Sequence, residues 1–309
     1  MNCKKGDKVK ELLDVIEKGI LQVMDSEKYK EYLKVQSMFH NYSSNNTLLI
    51  LLQKPTATAV AGYKTWQNLG RQVQKGEKGI EILAPCRYKY KKEIEKIDPI
   101  TQKPIIDSKT GEPIKEVRTI EGLSFRKVSV FDISQTEGKE LPSLAKEIQT
   151  NSKNSEMVIK AIKEISEVPI LFEDIEDGSK GYFSPIENRI VIKKDMSYDQ
   201  TAKTLIHEYT HSQLHGKDNF NIDRATAEVQ AESVAFIVSN RYGIDTSEYS
   251  FSYLASWSSD KDLKELKKSF DAIQKTANKI IDKMDKVLEK ELQLQIDVKE
   301  EVEEWGMEL

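Results

Sequence analysis

Residues 205–215 read Leu205-Ile206-His207-Glu208-Tyr209-Thr210-His211-Ser212-Gln213-Leu214-His215. Imidazoles four positions apart on a helix face the same way, so His207 and His211 can grip one Zn2+ while the intervening Glu208 reaches a bound water. With only four histidines in the chain, this pattern is hard to obtain by accident. Leu205, Ile206 and Leu214 point to a helix that is largely packed, where unpaired histidines would be poorly accommodated. A third ligand must come from elsewhere, and a catalytic zinc keeps a fourth position for water. His215 lies eight residues from His207, about 12 Å along the axis of a continuous helix, so it cannot share one ion with both other histidines. Its expected role is to cap the helix or to orient a neighbouring histidine.

Downstream, Glu228 and Glu232 fall on one helix face among Ala227, Val229, Ala231, Val234, Ala235 and Phe236. Such a pair is costly to bury unless something cationic neutralises it. A zinc ion would. Here the sequence resembles the gluzincin metallopeptidases. That resemblance implies Glu228 as the third metal ligand and Glu232 as the residue that orients a zinc histidine, with the exchanged assignment as the alternative. Given such a site, Glu208 is the general base that takes a proton from water and passes it to the leaving amine. One further donor to the substrate carbonyl is required, and Tyr253 and His215 are the candidates. The strand Arg189-Ile190-Val191-Ile192 is expected to line the cleft and to pair with an extended peptide.

Around this centre lies a chain of 309 residues, enough for two domains or one large domain with an appendage. Hydrophobic residues are 38% and charged residues 32%, a polar but globular composition that excludes collagen-like, mucin-like and prion-like chains. The longest apolar run, Leu48 to Leu52, is far short of the ~18 residues a membrane span requires. The N-terminus has no signal-peptide core, so a cytoplasmic location without membrane attachment is expected. Cys3 and Cys86 make neither a disulfide framework nor a zinc knuckle and read as bystanders. The net charge of −4 is unevenly spread: residues 54–127 hold 16 basic against 9 acidic residues, a local +7, leaving −11 for the remainder. A basic block in an acidic protein suggests a polyanion site.

Apolar spacing predicts two helices within residues 7–35 and a third over 47–52, stopped by Pro55. From Val60 to Val130 the pattern turns to β-type segments, best at 80–83, 87–91 and 125–131, with turns at Asp98-Pro99, Lys103-Pro104 and Gly111 marking a long hairpin or an insertion. Helices are expected at 155–168, 197–215 and 223–242, strands at 181–183 and 189–192, and one long amphipathic helix from Asp260 to Leu288. The resulting division is 1–140, a linker at 141–154, a second domain at 155–288 and an acidic tail at 289–309.

The first segment interleaves aromatics, bases and glycines. Asn41, Tyr42 and Asn45 precede Tyr63-Lys64-Thr65-Trp66, Gly70-Arg71 and Lys75-Gly76-Glu77-Lys78-Gly79. Ring faces for unstacked bases, cations for phosphates and glycines for close approach are what a single-strand binder needs. In this order, and with Val130-Phe131-Asp132-Ile133-Ser134-Gln135-Thr136-Glu137-Gly138 closing the segment, the sequence resembles the N-terminal domain of ArdC-type antirestriction proteins. The second half is similar to the zinc-peptidase domain of those proteins and, more distantly, of ImmA/IrrE-type regulators.

The resemblance spans roughly residues 8–285 and leaves out the 94–117 insertion and the acidic tail. It implies an α+β protein with an N-terminal DNA-binding domain and a C-terminal zincin-like domain ending in a long helix. Single-stranded DNA is the implied partner, with double-stranded DNA as a further one, and the setting is a mobile genetic element such as a plasmid. Two functional readings follow. One is a DNA-binding antirestriction protein with a metallopeptidase-like site; the other is an active endopeptidase that cleaves a regulatory protein while tethered to DNA.

Overall fold

The computed structural model describes residues 7–108, 110–140, 152–216 and 222–306, and the fold is α+β. Three helices come first, α1 (Asp7–Gln22), α2 (Ser26–Met38) and α3 (Ser44–Gln53). The break between α1 and α2 is set by Asp25, whose carboxylate accepts from the Glu27 and Lys28 backbone N–H groups, and Ser43 caps α3 through the Asn46 N–H. Next come β1 (Val60–Gly62), α4 (Tyr63–Asn68), β2 (Arg71–Val73), β3 (Ile80–Glu95), β4 (Lys115–Asp132) and β5 (Thr136–Gly138). The three strands expected at 80–83, 87–91 and 125–131 are thus parts of two long ones. They pair antiparallel from Ile80↔Val130 out to Glu95↔Lys115, and β1 joins the other edge of β4. Beyond Glu95 the hairpin continues through the bridges Ile97↔Pro104 and Ile106↔Pro113.

α3 covers the free edge of β3 through two side-chain amides. Asn46 Nδ2 donates to the Leu83 carbonyl while its Oδ1 accepts from the Leu83 N–H, both at 2.9 Å. One helical face further on, Gln53 does the same to Glu81, again at 2.9 Å in both directions. Each amide replaces the strand partner that β3 lacks, which protects an edge that would otherwise attract another chain. Opposite, Asp132 gathers the segment that closes the sheet: its carboxylate accepts from the N–H groups of Thr58 (2.7 Å), Ala59 (3.0 Å) and Ser134 (3.0 Å).

The second half contains α5 (Ser152–Ile165), β6 (Ile170–Glu173), β7 (Gly181–Ser184), β8 (Arg189–Lys193), α6 (Tyr198–Leu214), α7 (Arg224–Arg241), α8 (Leu254–Ser259) and α9 (Leu263–Gly306). The sheet order is β6-β8-β7, with β6 parallel and β7 antiparallel to β8. This corrects the sequence reading of Arg189–Ile192. Ile190, Val191 and Ile192 are fully buried and β8 is paired on both sides, so it has no edge for a peptide; β7 has one. α7 ends at Gly243, whose φ of +69° turns the chain while the Ile244 N–H reaches back to the Ser239 carbonyl at 2.9 Å.

Of the expected 141–154 linker, residues 141–151 lie outside the described residues and 152–154 are already in α5. The acidic stretch is helical in its backbone as far as Gly306, and 307–309 lie outside the described residues. Cys86 is disulfide-bonded rather than a bystander, and Cys3 lies outside the described residues.

The apolar core does not stop between the two segments. Tyr29 and Tyr32 of α2 meet Phe270 of α9 edge-on, with ring centroids 5.9 and 5.0 Å apart, and Tyr29 also meets Phe251 at 5.1 Å. The Tyr29 hydroxyl lies 2.8 Å from Ser233 Oγ on α7, Asn240 donates to Ser37 Oγ at 2.7 Å, and Gln274 donates to the carbonyls of His40 and Tyr42. One hydrophobic cluster runs through α1–α3, α5–α7 and α9.

Candidate functional site

α6 and α7 lie side by side and bring the expected ionisable residues together. His207, His211 and Glu228 each offer a ligand atom, and the three atoms lie within 4.8 Å of one another. The Nε2 atoms of His207 and His211 are 3.0 Å apart, and Glu228 Oε2 stands 3.4 Å from the first and 3.8 Å from the second. Glu232 occupies a different station, its Oε2 3.2 Å from His207 Nδ1. His215 caps α6 and does not join the cluster: its Nδ1 is 2.9 Å from His211 Nδ1 and its Nε2 is 3.1 Å from Gln230 Oε1. Gln230 in turn donates to Ser269 Oγ on α9. Nothing in residue spacing flagged Gln230, whose role depends on the crossing of α6 and α7.

Two imidazole nitrogens and one carboxylate oxygen are a donor set that suits a divalent first-row ion and leaves a coordination position open. Charges respond accordingly. Burial opposes a proton on His207, but the carboxylates of Glu228 and Glu232 outweigh it and lift its pKa to about 10. The same two histidines hold Glu228 well below the usual carboxylate range. For Glu208, burial pushes the carboxyl up, opposed by His207 and His211. It is 8% exposed, and the nearby Phe183 backbone of β7 also works against the upward shift. Two depressions of about 450 and 550 Å³ meet at Gly181, His207 and Glu208. Tyr253 is partly exposed at the start of α8; burial, reinforced by Glu232 and Glu228, keeps its phenol protonated.

The residues expected to contact DNA divide sharply. Lys64, Lys75 and Lys78 are exposed and without ion-pair partners among the described residues, and Tyr63 is 43% exposed. Asn41 is exposed, whereas Asn45 and Tyr42 are half-buried, and the Tyr42 hydroxyl donates to the Val60 carbonyl. Trp66 corrects the reading. It is 2% exposed and its indole N–H donates to the Phe131 carbonyl at 2.9 Å, so its ring faces are spent in packing. Arg71 is largely committed as well, donating to Thr136 Oγ1 and to the carbonyls of Thr136 and Lys139.

With this geometry in view, the chain can be set beside known proteins. Residues 8–131 match the family model for the N-terminal domain of anti-restriction factor ArdC. That segment is an ArdC-type N-terminal domain. The antirestriction ArdC protein of plasmid R388, in a metal-free crystal structure, shares the fold with a TM-score of 0.52 and 19% identity, over 88% of this chain and 97% of that one. An uncharacterised pXO2 protein of Bacillus anthracis is 30% identical over 91% of this chain, which spans 52% of that relative. DNA primase TraC of Escherichia coli is 28% identical over 70% of this chain, which spans 15% of TraC. The chain therefore covers about half of the first curated relative and a small part of the second. Among the described residues no helix is long and apolar enough to cross a membrane.

Proposed function

We propose that this chain is an ArdC-family antirestriction-type protein of a mobile genetic element, binding single-stranded DNA through its N-terminal domain and carrying a zincin-like metallopeptidase site. The observation that supports the site is the convergence of His207, His211 and Glu228 beside a buried Glu208. The donors fit Zn2+, which when bound supplies Lewis acidity and a nucleophile at neutral pH. Glu228 is the third ligand. Glu232 accepts from His207 Nδ1–H and so leaves Nε2 free to ligate, while His215 fixes His211 from behind. Glu208 takes a proton from the attacking water and delivers it to the leaving amine. The free edge of β7, whose Phe183 lines the same depression as Glu208, aligns an extended peptide antiparallel across the cleft. Tyr253, with its phenol proton retained, donates to the substrate carbonyl.

Retention of Glu208 in a buried cleft favours hydrolysis of a protein substrate over a purely structural ion, because a structural site needs no base. Incubating full-length protein loaded with Zn2+, and its Glu208→Gln variant, with a degenerate fluorogenic peptide library tests this. Turnover by the first and a loss of about 10²–10⁴-fold in the second is expected. No turnover by either, on peptides or on unfolded casein, reduces the site to a metal-binding one. In parallel, fluorescein-labelled oligo(dT) titrated at two salt concentrations tests the DNA reading.

A further inference from the structure

The long β3–β4 hairpin absorbs the insertion that the family resemblance left out, and its outer half has a face of unusual chemistry. Residues directly paired across an antiparallel ribbon share a face. Tyr88↔Gly122, Tyr90↔Ile120 and Lys92↔Arg118 are such pairs, as is Ala84↔Arg126 nearer the body. One face thus carries, in order outward, Arg126, the disulfide-bonded Cys86 opposite Ser124, Tyr88, Tyr90 and the Lys92/Arg118 pair. Tyr88 and Tyr90 are each 42% exposed, with ring centroids 5.7 Å apart and planes 30° from one another. Gly122 makes this possible: a Cβ there would lie 2.5 Å from Tyr88 Cζ, so the ring lies over bare backbone and turns its other side outward.

The charges on this face are not self-compensating. Lys92 stands directly opposite Arg118, an arrangement of like charges that costs stability. Arg118 is paired with Glu116, but Lys92 and Arg126 have no partner among the described residues. Cations left facing each other beside two open rings are complementary to a polyanion with stackable units.

We propose that this face of the β3–β4 ribbon is a binding platform for single-stranded nucleic acid, Tyr88 and Tyr90 stacking on successive bases while Arg126, Lys92 and Arg118 neutralise the flanking phosphates. The inference rests on the single-strand reading above but assigns the contact to a surface apart from the Tyr63 to Lys78 stretch. An arm that docks a protein is the competing use of the same rings, and it requires neither phosphates nor bases.

The test uses the full chain with two probes, fluorescein-labelled oligo(dT) and an abasic oligonucleotide of the same length. Tyr88→Ala with Tyr90→Ala should weaken oligo(dT) binding by about 5- to 150-fold for each ring that stacks, while leaving abasic binding nearly unchanged. Tyr88→Phe with Tyr90→Phe should retain wild-type affinity, and Lys92→Gln with Arg118→Gln should make the salt slope shallower by about 1.4. A bromodeoxyuridine oligonucleotide should cross-link to the peptide containing Tyr88 and Tyr90, a readout that needs no variant. If the wild type binds oligo(dT) but the alanine pair binds equally well and the cross-link maps elsewhere, the platform is overturned and the single-strand reading stands. If the wild type binds neither probe at low salt, both fall.

Discussion

Glu228 and Glu232 address opposite nitrogens of one imidazole: Glu228 Oε2 lies 3.4 Å from His207 Nε2, and Glu232 Oε2 lies 3.2 Å from His207 Nδ1. On the proposed assignment, one helical turn separates two jobs. Glu228→Ala would remove a ligand and should abolish stoichiometric metal retention, as should His207→Ala and His211→Ala. Glu232→Ala leaves three ligands in place and should weaken affinity by about 10–100-fold. Metal content after dialysis and competition with a chromogenic chelator check the order. Equal loss in both glutamate variants would mean that both carboxylates ligate.

In the proposed mechanism, Glu208→Gln deletes a base without deleting a ligand. Metal content should match the wild type, the melting temperature should stay level or rise because a buried carboxylate becomes a neutral amide, and peptide hydrolysis should fall by about 10²–10⁴-fold. Oligo(dT) affinity should not change. A variant that retains turnover would remove Glu208 from the proton path.

The shared core makes a stability prediction that separate domains would not. Phe270 of α9 is 4% exposed and wedged against Tyr29 and Tyr32 of α2. Phe270→Ala should cost about 3–5 kcal/mol. Calorimetry should record this as a lower midpoint of one transition that includes the N-terminal helices. Two transitions, with only one displaced, would contradict the continuity of the core. For the same reason a fragment cut near residue 140 should expose the α2 aromatics and aggregate, so DNA binding is best measured on the full chain.

Asp132 gives the N-terminal sheet an acid limit. Burial pulls its carboxyl up, yet hydrogen bonds from Ser134, Thr58 and Ala59 to the charged form prevail and hold it below the ordinary carboxylate value. The folded form thus binds fewer protons than the unfolded one, whose Asp titrates near about 3.9. This contribution is complete above that value and is lost as pH falls through the folded pKa. Asp132→Asn should therefore be less stable at pH 7, by about 1–3 kcal/mol, and show a flatter loss of melting temperature between pH 5 and 3. Parallel wild-type and variant curves would dismiss this role.

What was legible in the sequence was whatever repeats at short range. Helical spacing placed α6, α7 and α9, and it brought His207, His211, Glu228 and Glu232 into view because each pair is one turn apart. β6 was missed, since Ile170–Glu173 is four residues long and its pairing to β8 is parallel and non-local. The direction of a β-pairing, which made β7 the edge and β8 the centre, is likewise invisible in a single strand's composition. Trp66 deceived because an indole among lysines and glycines looks the same whether its N–H ends in water or on the Phe131 carbonyl. The α2 surface against α7 and α9 could not be anticipated, as Tyr29, Tyr32, Ser233 and Phe270 are brought together from more than 200 residues apart.

That last contact constrains how such genes can be recombined. Tyr29 rests on Ser233, one residue beyond Glu232, so the helices preceding the 60–138 segment also furnish a wall of the scaffold that holds the His207–Glu228 cluster. A crossover near residue 141 would hand the C-terminal half a partner with the wrong α2 surface, leaving Phe251 and Phe270 uncovered. Viable exchange must instead carry α1–α3 together with α7 and α9, or coordinate changes on both sides at once. The base of the strand-rich part is tied to that body as well, through the Asn46 and Gln53 amides and through Ile80, Ile82, Leu83 and Val130 in the shared core. The ribbon outward of Tyr88 and Gly122 contributes nothing to that core among the described residues and is the piece free to diverge.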